Sequence, residues 1–328
     1  MDSMTRILLL VRNRAGMQLA VSGVLWFGTS CTAILPDNVD ALQEVPRTPI
    51  REAGGARFAA EDELTDGVWL EVPRAAEPGY VGGYLSSDDA HRGALMIVLP
   101  GASTYYQGAM VAKVRDYHAH FSAMLRKTGL RTWTLAVREC GTPYGREDLA
   151  DLLAALDWLA DGGTAVLGVE RVYVVGYSSG ATLAILANER RTVSAVVAID
   201  GLTGPTQLER YWGLYRFIAD LFPRNTGLCQ LGSTLDAYGP PGATAWEALD
   251  AVGRAAELRN PMLVLHGERD FVFLVENARV LRAAYETIQA QGTRVPEVKF
   301  TYLPTGDHFN PIERDHVVDE VLGFLARF

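Results

Sequence analysis

Three polar side chains stand where short turns interrupt apolar runs: Ser178, Asp270 and His308. Ser178 is the centre of Gly176-Tyr177-Ser178-Ser179-Gly180. A serine hydroxyl is a poor nucleophile at neutral pH. It becomes reactive when a histidine takes its proton and a carboxylate orients that histidine. These residue types point to acyl transfer through a covalent intermediate, with no metal and no organic cofactor required. A bare G-x-S-x-G also arises by chance, so its context has to carry the reading.

The context is a strand before the serine and a helix after it. Val172, Tyr173, Val174 and Val175 make a short apolar run rich in β-branched residues, and Ala181-Thr182-Leu183-Ala184 resumes with helix-compatible ones. A serine on so tight a turn must adopt a strained backbone. Side chains two positions before and after it would collide, hence Gly176 and Gly180. The turn lifts the Ser178 hydroxyl above the sheet and sets the Ser179 N–H at a helix N-terminus, where negative charge is favoured. Ser179 is therefore one expected donor of an oxyanion hole. The second is expected in Pro100-Gly101-Ala102-Ser103, after the apolar run Ala94–Leu99. Gly101 permits the turn and leaves the Ala102 N–H as the candidate, with Ser103 the alternative. Tyr105 and Tyr106 on the same loop line an acyl pocket or merely pack.

Six histidines are available as the base. His91, His118 and His120 read as surface or packing residues, and His316 belongs to the last helix. His266 directly follows an apolar strand and reads as structural. His308 lies in Gly306-Asp307-His308-Phe309, after the strand Val298–Leu303 and before the final helix, on a loop that can reach Ser178. The acid is expected at Asp270, in His266-Gly267-Glu268-Arg269-Asp270 after the buried strand Pro261–Leu265. Its rivals are Asp200, which ends the run Val193–Ile199, and Glu268, which can instead pair with Arg269; Asp307 reads as a turn residue.

Positioning these residues requires a sheet. Gly67–Arg74 and Tyr80–Ser86 read as an antiparallel edge pair around Pro78-Gly79. Ala94–Leu99, apolar on both faces, reads as a central strand covered on each side. A helix over His118–Lys127, a strand over Arg131–Val137 and a helix over Glu147–Ala160 follow, the last with Leu149, Leu152, Leu153, Leu156 and Leu159 on one stripe. The final helix carries Val317, Val321, Leu325 and Phe328. Repeated strand–helix alternation implies a mainly parallel sheet with helices on both faces. One stretch breaks the rhythm. About 201–260 contains no strand signal but gathers Tyr211, Trp212, Tyr215, Phe217 and Phe222, and reads as a helical cap over the serine or as an extension packed on the core.

The composition is that of a globular protein. The formal charge of 30 − 39 = −9 argues against a nucleic-acid partner. Arg6, Arg12 and Arg14 precede an uncharged run from Met17 to Leu35, so residues 1–35 read as an export signal or a membrane or lipid anchor. Export to a bacterial periplasm, anchoring with lipidation at Cys31, and secretion are the readings that follow, with any membrane contact confined to this segment. Cys140 and Cys229 would be free to pair in an oxidising compartment, or stand as unrelated thiols. Residues 36–66 read as a linker or edge segment, and 67–328 as the catalytic domain.

The elbow, the HGERD segment, the GDH segment and the Pro-Gly loop together resemble the α/β-hydrolase superfamily over roughly residues 67–328. The order Ser178…Asp270…His308 is that of its triads. The resemblance implies an α/β-hydrolase fold with a helical cap insertion. It also implies nucleophile Ser178, acid Asp270, base His308, oxyanion donors Ala102 and Ser179, and a small-molecule or lipid-like ester as substrate. Prolyl-oligopeptidase-like peptidases share the fold and triad, and a non-catalytic binding module on the same fold is the third reading. Two positions depart from the common pattern: Pro100 where many members have histidine, and Ala181 where many have a second glycine.

Overall fold

Apolar runs with no polar interruption become the middle of the sheet. A computed structural model describes residues 51–62, 67–74, 78–86, 93–101, 114–115, 117–122, 129–138, 142–221, 226–308 and 315–328. Its ten strands are β1 (Arg51–Ala53), β2 (Ala56–Asp62), β3 (Gly67–Pro73), β4 (Tyr80–Ser86), β5 (Gly93–Leu99), β6 (Arg131–Leu135), β7 (Val169–Tyr177), β8 (Ala195–Ile199), β9 (Met262–Gly267) and β10 (Val298–Leu303). They form one sheet in the order β1-β2-β3-β4-β6-β5-β7-β8-β9-β10. The pairs from β1 through β4 to β6 are antiparallel, and those from β6 onward are parallel. The antiparallel flank reaches further back than Gly67, because β1 and β2 fall inside the stretch read as linker or edge.

Alternation along the central strands sorts their side chains into two layers. Leu95, Ile97 and Leu99 of β5 join the larger core, while Ala94, Met96 and Val98 join the other. On the first face lie α1 (Glu147–Trp158), α2 (Ser179–Asn188) and α6 (Glu276–Ala290), with Leu152, Leu183 and Leu281 among their buried contacts. On the second lies α7 (Asp315–Leu325), which buries Val317, Val321 and Phe324. Burial on both faces is why these strands read as unbroken apolar runs.

Between β8 and β9 the described residues are helical or irregular, as α3 (Thr206–Arg210), α4 (Trp212–Leu221), α5 (Thr226–Tyr238) and two short 3₁₀ turns, Thr244–Leu249 and Ala255–Glu257. Trp212 and Tyr215 pack against the larger core, whereas Phe217 is exposed. The insertion returns to the sheet through Asn260, whose Nδ2 donates to Asn188 Oδ1 at 2.8 Å, tying the end of α2 to the start of β9. A part-buried ion-pair cluster braces the other flank. Asp151 of α1, fully buried, accepts from Arg74 at 2.8 Å and from Arg138 at 3.0 Å.

No helix among the described residues is long and apolar enough to cross a membrane. The segment 1–35, with Cys31, lies outside the described residues, as do Cys140 and the side chain of Cys229.

Candidate active site

In a parallel sheet every strand delivers its following loop to the same edge. Ser178 follows β7, Pro100-Gly101 follows β5, Asp200 follows β8, and the loops carrying Asp270 and His308 follow β9 and β10. Ser178 has φ 56° and ψ −121°. Among the described non-glycine residues only Ser178 and Asp200 have positive φ, a conformation that costs on the order of 1–3 kcal/mol. The surroundings impose it. The Ser178 N–H donates to the Ile199 carbonyl at 2.8 Å, and the Ser178 carbonyl accepts the Ala181 and Thr182 N–H groups in the first turn of α2. A Cβ at Gly176 would fall on the Gly180 carbonyl, as the spacing argument expects. A Cβ at Gly180 would instead strike the Leu99 carbonyl of β5, so that glycine answers to a neighbouring strand.

The three separated side chains meet. Ser178 Oγ lies 2.9 Å from His308 Nε2, and His308 Nδ1 lies 2.8 Å from Asp270 Oδ2. A carboxylate only accepts, so Nδ1 carries the imidazole proton and Nε2 is left to accept from the serine. The second oxygen of Asp270 is also occupied, accepting the Val272 N–H at 2.8 Å and the Phe273 N–H at 2.9 Å. All three residues are buried, which strengthens the electrostatic coupling between them. Backbone bonds stitch the two loops together. Glu268 N–H donates to the Leu303 carbonyl at 2.9 Å, and Arg269 N–H to the Gly306 carbonyl at 3.0 Å.

The rival acids are otherwise engaged. Glu268 pairs with Arg279 at 3.2 Å, not with Arg269. Asp200 accepts the Gly267 N–H at 2.7 Å through Oδ1, and its Oδ2 has no partner among the described residues. Burial, and then the charge of Asp270, push Asp200 up to about 8. His266 is structural in its contacts: its Nε2–H donates to the Phe273 carbonyl at 2.6 Å, and burial lowers its pKa, so it stays neutral. Ligating atoms of Asp200, His266 and Asp270 come within 4.8 Å of one another. Two of those groups are already committed, His266 Nε2 to a carbonyl and Asp270 Oδ2 to His308, so the cluster reads as packing around the Asp270 side chain.

Ser179 opens α2 and is buried beside Ser178. The loop after β5 passes against it, since a Cβ at Gly101 would lie 2.9 Å from Ser178 Cβ. Ala102, Ser103, Tyr105 and Tyr106 lie outside the described residues, as does His91, and nothing is described of the His120 and His316 side chains. His118 is buried, with Nδ1 2.9 Å from Thr134 Oγ1, the packing role expected of it.

Two neighbours of His308 escape sequence reasoning. The Tyr177 hydroxyl donates to the His308 carbonyl, and its ring lies against the imidazole at 5.5 Å between centroids. Phe273 meets the imidazole edge-on at 5.6 Å. Tyr177 was visible as the residue before the serine, but nothing in its spacing announces a bond to the histidine loop.

Comparison with the curated proteins finds no match. Among solved structures, a truncated carbohydrate esterase from gut microbiota is similar at TM-score 0.57 and 15% identity, over 82% of this chain and 99% of that one. An esterase of Pyrococcus furiosus gives TM-score 0.57 and 18% identity, over 85% and 96%. An acylaminoacyl peptidase of Pyrococcus horikoshii gives TM-score 0.55 and 12% identity, over 80% of this chain but 42% of the peptidase. A sequence model described as the alpha/beta hydrolase family matches residues 96–321. With that match spanning well over half the sequence, and with a mostly parallel sheet of the corresponding architecture, the chain belongs to the α/β-hydrolase family.

Proposed function

We propose that the protein is a serine hydrolase that cleaves carboxylic esters through an acyl-enzyme intermediate. The observation that carries the reading is the continuous chain of hydrogen bonds Ser178–His308–Asp270, built on a strained elbow. Ser178 Oγ attacks the ester carbonyl as its proton passes to His308 Nε2. Asp270 holds Nδ1–H and stabilises the imidazolium. The N–H of Ser179, with a donor from the loop after β5 for which Ala102 is the candidate, faces the oxyanion. His308 then protonates the leaving alcohol, and water, activated by the same imidazole, releases the acid. The residues that perform these steps are all supplied by this chain.

A peptidase is the second reading, favoured by the peptidases among the structural neighbours. The esterase neighbours are matched over nearly their whole length, whereas the peptidases are matched over less than half. The ester reading is therefore preferred, with a small-molecule or lipid-like ester as substrate. The test pairs a fluorophosphonate label, mapped by mass spectrometry, with turnover of p-nitrophenyl esters of increasing acyl length and of aminoacyl p-nitroanilides. Labelling at Ser178 and ester turnover abolished by Ser178→Ala are expected. Faster anilide than ester turnover would move the assignment to a peptidase, and an unlabelled Ser178 in folded protein would end both readings.

A further inference from the structure

The insertion between β8 and β9 reaches the acid loop through the side chain of Gln207. Gln207, buried on α3, accepts the Leu274 N–H at 3.0 Å and an Asn277 Nδ2–H through its Oε1. Its Nε2 donates to the Val272 carbonyl at 2.8 Å and to the Tyr215 hydroxyl at 2.6 Å. An amide offers two donor hydrogens and two acceptor lone pairs, and here all four are used.

The run Val272–Leu274 lies between β9 and α6, and α6 meets only its last carbonyl, that of Leu274, which accepts the Asn277 N–H at 2.9 Å. Its other groups are met by side chains, the Phe273 carbonyl by His266. Asp270 Oδ1 takes the N–H groups of Val272 and Phe273, while Gln207 takes the Val272 carbonyl and the Leu274 N–H. The peptide that fixes the acid's rotation is thus itself fixed by the insertion. Thr203 adds a second tie, its hydroxyl donating to the Asn277 carbonyl at 2.6 Å.

We propose that Gln207 is a positioning residue for the reaction: it holds the acid loop from the insertion, so that Asp270 Oδ2 meets His308 Nδ1. The inference rests on the Ser178–His308–Asp270 reading above. Without the amide, the half-buried Val272 carbonyl and Leu274 N–H lose their partners and the loop shifts to find others. Displacing a catalytic constellation by about 1 Å costs on the order of 100-fold in rate. Glutamate has the shape of glutamine but, when ionised, has no hydrogen for the Val272 carbonyl. When protonated it has one.

The experiment measures kcat and KM for p-nitrophenyl acetate from pH 5 to 9 in the full chain, alongside Gln207→Leu and Gln207→Glu, with fluorophosphonate labelling and thermal melts. For Gln207→Leu the expected loss is about 100-fold in kcat, with KM changed by less than about threefold, since ground-state binding is not the property removed. For Gln207→Glu the loss relative to wild type should shrink as pH falls and the new carboxyl regains its hydrogen. If Gln207→Leu does not fold, the pH dependence of the Gln207→Glu ratio decides. An unchanged kcat in folded Gln207→Leu, or a Gln207→Glu ratio flat across pH, overturns the proposal while leaving an active wild type intact. A wild type that neither labels nor turns over removes the hydrolase reading and this inference with it.

Discussion

Replacing Asp270 by asparagine tests the reaction at its most geometric point. Asp270 Oδ1 accepts two backbone N–H groups, from Val272 and Phe273. In Asp270→Asn the carbonyl oxygen must stay there, because an NH₂ facing two N–H groups would leave all of them unpaired. The NH₂ therefore takes the position of Oδ2, 2.8 Å from His308 Nδ1. A donor there forces Nδ1 to accept, and the imidazole proton moves to Nε2, which lies 2.9 Å from Ser178 Oγ. That nitrogen can no longer take the serine proton. The same exchange in a serine protease lowers turnover by about 10⁴, or about 5 kcal/mol of transition-state stabilisation at 1.36 kcal/mol per tenfold. Ester turnover and the rate of fluorophosphonate labelling should fall together by about this factor, with the melting temperature nearly unchanged because shape and backbone bonds are kept. Activity within tenfold of wild type in folded Asp270→Asn would refute the tautomer argument and return the acid role to Asp200.

Tyr177→Phe keeps the ring against His308 but removes the hydroxyl that donates to its carbonyl; kcat should fall about tenfold, the worth of one such bond, as read by ester turnover. Burial and the Asp270 charge raise Asp200 from 3.8 to about 8. Its protonated form favours the fold, so this contribution is complete below pH 3.8 and is lost as pH rises toward 8. Melting temperatures of Asp200→Asn, fixed in the neutral state, should decline less than those of wild type between pH 5 and 8, and a parallel decline would contradict this. Asp151→Ala leaves Arg74 and Arg138 without the buried carboxylate they share. A loss of about 3 kcal/mol, the lower end for a broken buried pair because both guanidinium groups are partly exposed, should show in denaturant melts.

Much of this was legible before any coordinates. Ala94–Leu99, Val193–Ile199 and Val298–Leu303 were readable as strands because burial on two faces leaves Ser194 as the one polar residue in the first two, and turn residues bound all three. The elbow was readable because a strained serine demands glycines at fixed offsets, a requirement written within five residues. The edge strands β1 and β2 were not readable. Their stretch is rich in charged residues and glycine, and they hold their place by pairing with each other and with β3, which no local pattern records.

Local spacing determined which residues could take part: a serine lifted between strand and helix, and loops bearing a histidine and several carboxylates after successive strands. Only the tertiary structure decided which carboxylate turns toward His308, that Tyr177 reaches the histidine's carbonyl, and that Gln207 closes the acid loop from a distant insertion. The physical reason is range. Strain, burial and turn chemistry act between neighbours in the chain, while a hydrogen bond forms wherever the fold brings donor and acceptor together, however many residues separate them.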